Sequence, residues 1–209
     1  MMLRHAFLMG VVSAGLSMGA PPGGAAEEGA PLAIGADVPL ADVKMLGVDG
    51  REVTLAGVAG ARGTLVIFSC NHCPWVKAWE DRLVAIGNAY SARGVGVIAV
   101  NSNDPRAYPE DGLTQMQDQA RAKNYLFPYV VDTTSEVGRV FGATHTPEAF
   151  LFDSSGRLVY HGAIDDNARN AERVQHHYLR DALDSVLAGK PPEVQETKAL
   201  GCTIVLRGQ

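Results

Sequence analysis

Residues 65–68, Leu-Val-Ile-Phe, form an unbroken apolar run of strand length that stops at Ser69-Cys70-Asn71-His72-Cys73-Pro74 and gives way to helical periodicity. A strand with no polar face belongs in the middle of a sheet covered on both sides. Val76, Trp79, Leu83, Ile86 and Tyr90 then recur at spacings of three and four, one face of a helix over 74–92 that Gly94 ends. A second apolar run at 95–100 completes strand, helix, strand, the parallel crossover unit.

The flanking segments fix the topology. Asp49-Gly50 between apolar segments 43–46 and 52–55 predicts an N-terminal hairpin. Leu113, Met116 and Ala120 predict a helix, 129–131 a short strand and 135–141 another helix. Strands 148–152 and 158–161 flank a turn ending at Gly156, an antiparallel hairpin, and a closing helix over 172–187 turns Val174, Tyr178, Leu183 and Leu187 inward. Parallel crossover, antiparallel hairpin and closing helix follow in the order of a thioredoxin-like α/β fold, with a central mixed sheet flanked by helices on both faces. A flavodoxin-like sheet would need a further parallel crossover where Gly156 turns the chain back.

Composition narrows the partners and the compartment. With 18 Lys plus Arg against 23 Asp plus Glu, a net charge of −5 and no basic run, the chain lacks the footprint of a nucleic-acid binder. Residues 1–26 carry Arg4 and His5, an uncharged stretch from Ala6 to Ala20, and small residues up to Ala25-Ala26, the order of a cleaved secretory signal. The stretch is shorter than the roughly 20 residues of a membrane span, so the expected product is exported, periplasmic and free of the membrane; a retained anchor is the alternative. Residues 27–36 read as a flexible lead-in, 37–188 as the domain and 189–209 as a C-terminal extension. The three cysteines, Cys70, Cys73 and Cys202, all fall after the signal, and an odd number in an oxidising compartment leaves one thiol over.

If Pro74 is the first helical residue, Cys73 is the N-cap. Its sulfur then faces unpaired backbone N–H groups and the positive end of the helix dipole, which favours the thiolate, and Lys77 one turn on adds to that field. Cys73 is therefore the candidate nucleophile. Residues 65–77 resemble the active-site region of thioredoxin-like proteins, and Thr146-Pro147 before the hairpin resembles their cis-proline segment. The nearest resemblance is to the peroxiredoxin-like branch of the alkyl hydroperoxide reductase and thiol-specific antioxidant (redoxin) family, over 31–188 plus 201–204. It implies that Cys73 matches the nucleophilic first cysteine of the family's C-x-x-C and Val76 the second, so the Cys70/Cys73 pair is shifted three residues upstream. It also implies a cis Thr146–Pro147 bond beside the nucleophile and pairing of the preceding backbone with an extended substrate.

Three readings of the chemistry stay open. In the first, Cys73 exchanges disulfides with protein thiols or disulfides, resolved by Cys70 or Cys202 and recycled by an upstream thiol reductant. An extended 70–73 segment would hold the two Cα atoms about 10 Å apart, beyond the roughly 7 Å a disulfide spans, so Cys70 pairs with Cys73 only if Asn71-His72 turn. Cys202 is the second candidate partner; a buried inert Cys70 and an idle Cys202 are the bland alternatives. Thr146, Pro147, Trp75 and His72 are candidate substrate contacts, with Trp79 packing under the helix. In the second reading Cys73 attacks peroxide, although Cys70 stands where the peroxiredoxin pattern has threonine and no arginine is assignable to the peroxide. In the third, Cys70 and Cys73 hold copper(I) with His145 or His161. The first two need no cofactor or resident metal.

Overall fold

Alternation along the apolar runs sorts their side chains into two cores. Leu65 and Ile67 point to one face of the sheet, Val66 and Phe68 to the other, and all four are at most 2% exposed. The computed structural model describes residues 30–208, so the export signal expected for 1–26 lies outside the described residues. The elements are β1 (Met45–Gly47), β2 (Glu52–Val53), α1 (Leu55–Val58), β3 (Thr64–Phe68), α2 (Pro74–Ser91), β4 (Gly96–Asn101), α3 (Leu113–Ala122), β5 (Tyr129–Val131), α4 (Glu136–Phe141), β6 (His145–Thr146), β7 (Glu148–Phe152), β8 (Leu158–Gly162), α5 (Tyr178–Leu187) and β9 (Cys202–Thr203).

Seven strands form one mixed sheet in the order β2-β1-β5-β4-β3-β7-β8. β3 runs parallel to β4 and β4 to β5, while β7 and β8 return antiparallel, which is the thioredoxin-like arrangement. The residues of α2 and α5 that face the sheet, among them Trp79, Leu83, Leu179 and Leu183, join Leu65, Ile67, Val97 and Leu151 in one core. Leu55 of α1 and Val137 and Phe141 of α4 close the other core over Val66, Phe68, Ile98 and Phe150. Phe141 meets Phe68, Phe150 and Phe152 edge-on, with ring centroids 5.2–6.0 Å apart.

Three expectations change. The strand predicted through residue 55 ends at Val53, because Thr54 caps α1 by accepting the N–H of Gly57 at 2.9 Å. The closing helix begins at Tyr178, not 172: Asp166 accepts the N–H of Gln175 at 3.0 Å and donates its own N–H to His176 at 3.3 Å, tying the segment to a loop instead of a helical ladder. The lead-in is tied down from residue 32, where Leu32 N–H meets Phe141 O at 3.0 Å and Gly35 N–H meets Leu158 O at 2.8 Å.

The extension over 189–208 is an ordered strap. Its Gln195 and Thr197 pair with His161 along the outer strand β8 (2.9 and 3.0 Å). β9 then pairs antiparallel with β6, with Thr146 opposite Cys202 and His145 opposite Thr203. Beyond it, Val205 and Arg207 bond to Asn103 and Ser135 at 2.8 and 3.0 Å. No helix of the described residues is long and apolar enough to cross a membrane.

Candidate active site

Cys73 is the N-cap of α2, with extended backbone, and Pro74 opens the helix, as the sequence predicts. No side chain caps the helix start, so the positive end of the helix dipole lies at the position that Cys73 occupies, without a hydrogen bond from the first-turn N–H groups to its sulfur. Cys73 is wholly buried and bonded to Cys202 with Cα atoms 6.0 Å apart, while Cys70 is a free, buried thiol. The expected order of partners is thus reversed. Asn71-His72 do bend, but the bend carries the Cys70 sulfur to Thr146, whose Oγ1 lies 3.1 Å away, and β9 delivers Cys202 to Cys73 instead.

The two neighbouring sulfurs have opposite environments. Burial, and then the nearby Asp111 carboxylate, push the Cys70 thiol up from 9.0 to about 12, only partly offset by the Thr146 hydroxyl and the N–H groups of Cys73 and His72. Cys70 is therefore a protonated thiol at neutral pH. Thr146 touches both sulfurs, its carbonyl lying 3.2 Å from Cys73 Sγ, and the Thr146–Pro147 peptide bond is cis. Glu148 holds the approach to this residue: its Oε2 accepts the N–H groups of Thr144 and His145 (2.8 and 3.0 Å), and its Oε1 lies 2.6 Å from His161 Nε2.

Asp111, which the sequence reading did not single out, organises the turn between the cysteines. One of its oxygens accepts the N–H groups of Asn71 and His72 at 2.7 and 3.1 Å. The other lies 2.7 Å from His72 Nδ1 and accepts Asn103 Nδ2–H at 2.9 Å. His72 stacks on Tyr108 with centroids 3.7 Å apart. Asn103 carries the network on to Val205 of the strap. An acidic pair after Pro109, Glu110-Asp111, reads as an ordinary solvated turn and gives no local sign of this role.

Trp75 is half-buried and packs against Cys70, Cys73 and Val76, along with Cys202. Trp79 is buried and donates Nε1–H to Asp165 at 2.7 Å, and Arg82 also grips Asp165 and the carbonyls of Asn167 and Ala168. Lys77 is exposed on the first turn of α2.

The copper reading fits poorly. Cys73 is held in a disulfide and offers no thiolate, His161 is engaged by Glu148, and His145 Nδ1 lies 2.8 Å from Thr144 Oγ1. Cys70, His72 and Asp111 do bring one ligand atom each within 4.8 Å of one another. Yet the Asp111 oxygens are filled by donors from four groups, and the Cys70 proton is held by burial, so the cluster serves as a hydrogen-bond hub. Among the described residues the two most enclosed arginines are committed elsewhere, Arg82 to Asp165 and Arg207 to Asp132 and Ser135.

The model of the AhpC/TSA family matches residues 34–161. Two solved structures cover nearly the whole of their own chains: hypothetical protein SMc02350 from Sinorhizobium meliloti 1021 (34% identity, 87% of this chain and 99% of that one, TM-score 0.79) and an uncharacterized conserved protein from Geobacillus kaustophilus (35%, 90% and 99%, TM-score 0.80). Peroxidoxin BcpB from Mycobacterium tuberculosis shares the fold at 12% identity, covering 75% of this chain and 96% of its own, with a TM-score of 0.55. No curated protein matches the sequence.

Proposed function

Because this chain belongs to the AhpC/TSA family and is a thiol oxidoreductase or thiol-dependent peroxidase, we propose that it is an exported thiol–disulfide oxidoreductase in which Cys73 is the nucleophile and Cys202 the resolving cysteine. The observation that carries this reading is the Cys73–Cys202 bond at the opening of α2, beside a Cys70 thiol that burial keeps protonated. In the reduced protein the Cys73 thiolate, favoured by the helix start, attacks one sulfur of a substrate disulfide and expels the other as a thiolate. Cys202 then attacks the Cys73 sulfur and releases the second substrate thiol. The substrate gains two electrons, and the protein is left with the Cys73–Cys202 bond.

Recycling follows from exposure. Cys73 is wholly buried but Cys202 is only half-buried, so an external thiolate reaches the bond at Cys202 and Cys73 is the leaving group. A sulfur at a helix start is the better leaving group of the two. An oxidising compartment suits a protein whose three cysteines all follow the apparent signal, and the substrates are protein thiols or disulfides.

The test is turnover of insulin disulfides with a dithiol reductant by wild type and three single variants. Cys73→Ser should abolish turnover, and Cys202→Ser should accumulate a mixed disulfide on Cys73. Cys70→Ser should keep most of the wild-type rate. A mixed disulfide trapped by Cys70→Ser instead would move the resolving role to Cys70. Hydrogen peroxide consumption with sulfenic acid on Cys73, but no insulin reduction, would favour the peroxidase.

A further inference from the structure

The strap does more than bring Cys202 to Cys73. Among the described residues, β6 stands outside the seven-stranded sheet and has β9 as its only strand partner. Ile204 N–H donates to Thr144 O at 3.0 Å, continuing the ladder, and Ile204 is buried in the core that contains Phe68 and Phe141. Gly201 lies so close to Thr146 that a Cβ there would stand 2.2 Å from its carbonyl oxygen. Val205 then locks onto Asn103 and Asp104 (2.8 and 2.7 Å). Residues 201–205 thus lie as an extended, cysteine-bearing peptide along an edge beside the nucleophile.

The geometry points to a redox-gated strap: β9 is a tethered occupant of the edge that receives polypeptide substrates, closing it in the oxidised protein and vacating it on reduction. This rests on the reading of Cys73 as nucleophile. With β9 gone, the edge of β6 presents unpaired N–H and C=O groups, which an extended segment satisfies by adding a strand. The occupant also specifies the substrate class, an extended segment with glycine before its cysteine and a β-branched apolar residue two positions after it, matching Gly201, Cys202 and Ile204.

Opening balances with a dithiol as reductant. One of its thiolates attacks Cys202 Sγ, the Cys73–Cys202 bond breaks and Cys73 leaves as thiolate. The second dithiol sulfur attacks the first, releasing Cys202. The dithiol becomes a disulfide, and its two electrons stay on Cys73 and Cys202.

The test uses the full chain. Amide hydrogen exchange at Ile204 and Val205 is compared in the oxidised protein and in dithiothreitol, with the amides of β3 and β4 as internal controls. Exchange at the strap should rise about tenfold or more on reduction while the controls stay fixed. Equal protection in both states would overturn the gate, whether or not Cys73 is catalytic.

A second measurement probes the edge. A peptide of the sequence of residues 200–206, carried as its mixed disulfide with thionitrobenzoate, is mixed with Cys202→Ser and with Cys202→Ser/Ile204→Asp, the latter having a loosened strap. Cys73 attacks the peptide sulfur and thionitrobenzoate leaves as a coloured thiolate. Loosening should change this rate by less than about threefold, because without the Cys73–Cys202 bond the edge is already vacated, and with either variant the peptide should react about tenfold faster than the thionitrobenzoate disulfide of 2-mercaptoethanol. Valine in place of the peptide glycine should remove the peptide's advantage. A tenfold rise on loosening would mean that the strap stays on the edge without the disulfide, and would overturn the gate. No release dependent on Cys73 from either compound would sink the nucleophile reading while leaving the exchange result standing. If the double variant fails to fold, the exchange comparison on wild type still decides.

Discussion

A thiol reacts according to what surrounds its sulfur, and Cys70 and Cys73 differ in that respect although three residues apart. With its thiol pushed up to about 12 by burial and Asp111, Cys70 has roughly one molecule in ten thousand ionised at pH 8. In Cys73→Ser/Cys202→Ser, iodoacetamide should modify native Cys70 more than about a hundredfold slower than free cysteine at pH 8. The same shift couples to stability with a definite sign. Below about pH 9 folded and unfolded chains both keep the proton; between about 9 and 12 only the folded chain does, so stability falls as pH rises through that window. The stability margin of wild type over Cys70→Ala should therefore shrink from pH 8 to pH 11 in urea titrations. The buried Tyr160 titrates in the same sense, is common to both proteins and cancels, whereas Tyr125 and Tyr129 are pushed up by burial and also by Cys70 itself, which adds to the shrinking of the margin. Asp111→Asn should cost about 2 kcal/mol in urea unfolding, because the new amide turns a donor toward N–H groups that the carboxylate now accepts. The N-cap sulfur was readable because Pro74 and the apolar period mark where the helix starts. The Asp111 hub was not, since its partners Asn71 and His72 lie 40 and 39 positions away and no periodicity runs through its loop.

Elements that bury a regular face announce themselves, and α2 is the clearest case, with Val76, Trp79, Leu83, Ile86 and Tyr90 all buried as their spacing predicts. The central strands were legible for the same reason. Residues 172–177 were not, because Val174 sits at helical spacing from the Tyr178 face while Asp166 claims the local backbone, and that contact has no sequence signature. The course of the strap was hidden too: β9 has two residues, and what fixes it is an edge on β6 that exists only once the domain has folded. Gly87 shows how packing overrides local propensity in α2. Replacing a mid-helix glycine by alanine ordinarily gains about 1 kcal/mol. Here the added Cβ would meet the ring of Phe127 at 2.2 Å, and that ring is itself buried against the helix. Overpacking costs about 1–3 kcal/mol, so Gly87→Ala should lower stability despite the better propensity, with a reduced urea midpoint at unchanged slope.

Across the whole molecule, the Cys73–Cys202 bond joins positions 129 residues apart and closes everything from α2 to β9 into one covalent loop, with β1, β2, α1 and β3 outside it. By chain entropy a loop of that length stabilises the folded state by about 5 kcal/mol at most, and native disulfides commonly contribute about 2–5 kcal/mol. Urea unfolding with and without dithiothreitol should show a loss in that range for wild type and none for Cys202→Ser, which has no bond to lose. Linkage makes the effect reciprocal: whatever the bond adds to folding, folding adds to the bond. At about 1.4 kcal/mol per tenfold, the folded chain should hold its disulfide about 30-fold to about 4,000-fold more tightly than the unfolded chain does. Equilibration with a glutathione buffer, in water and in concentrated urea, measures that ratio independently. The four states close a thermodynamic cycle, so the two experiments must agree, and a mismatch would mean that unfolding is not two-state in one of the redox forms. How far reduction rearranges the molecule is read from amide exchange instead: protection kept in β3 and β4 confines the change to the strap and the edge it covers, and protection lost there would mean that more of the molecule opens.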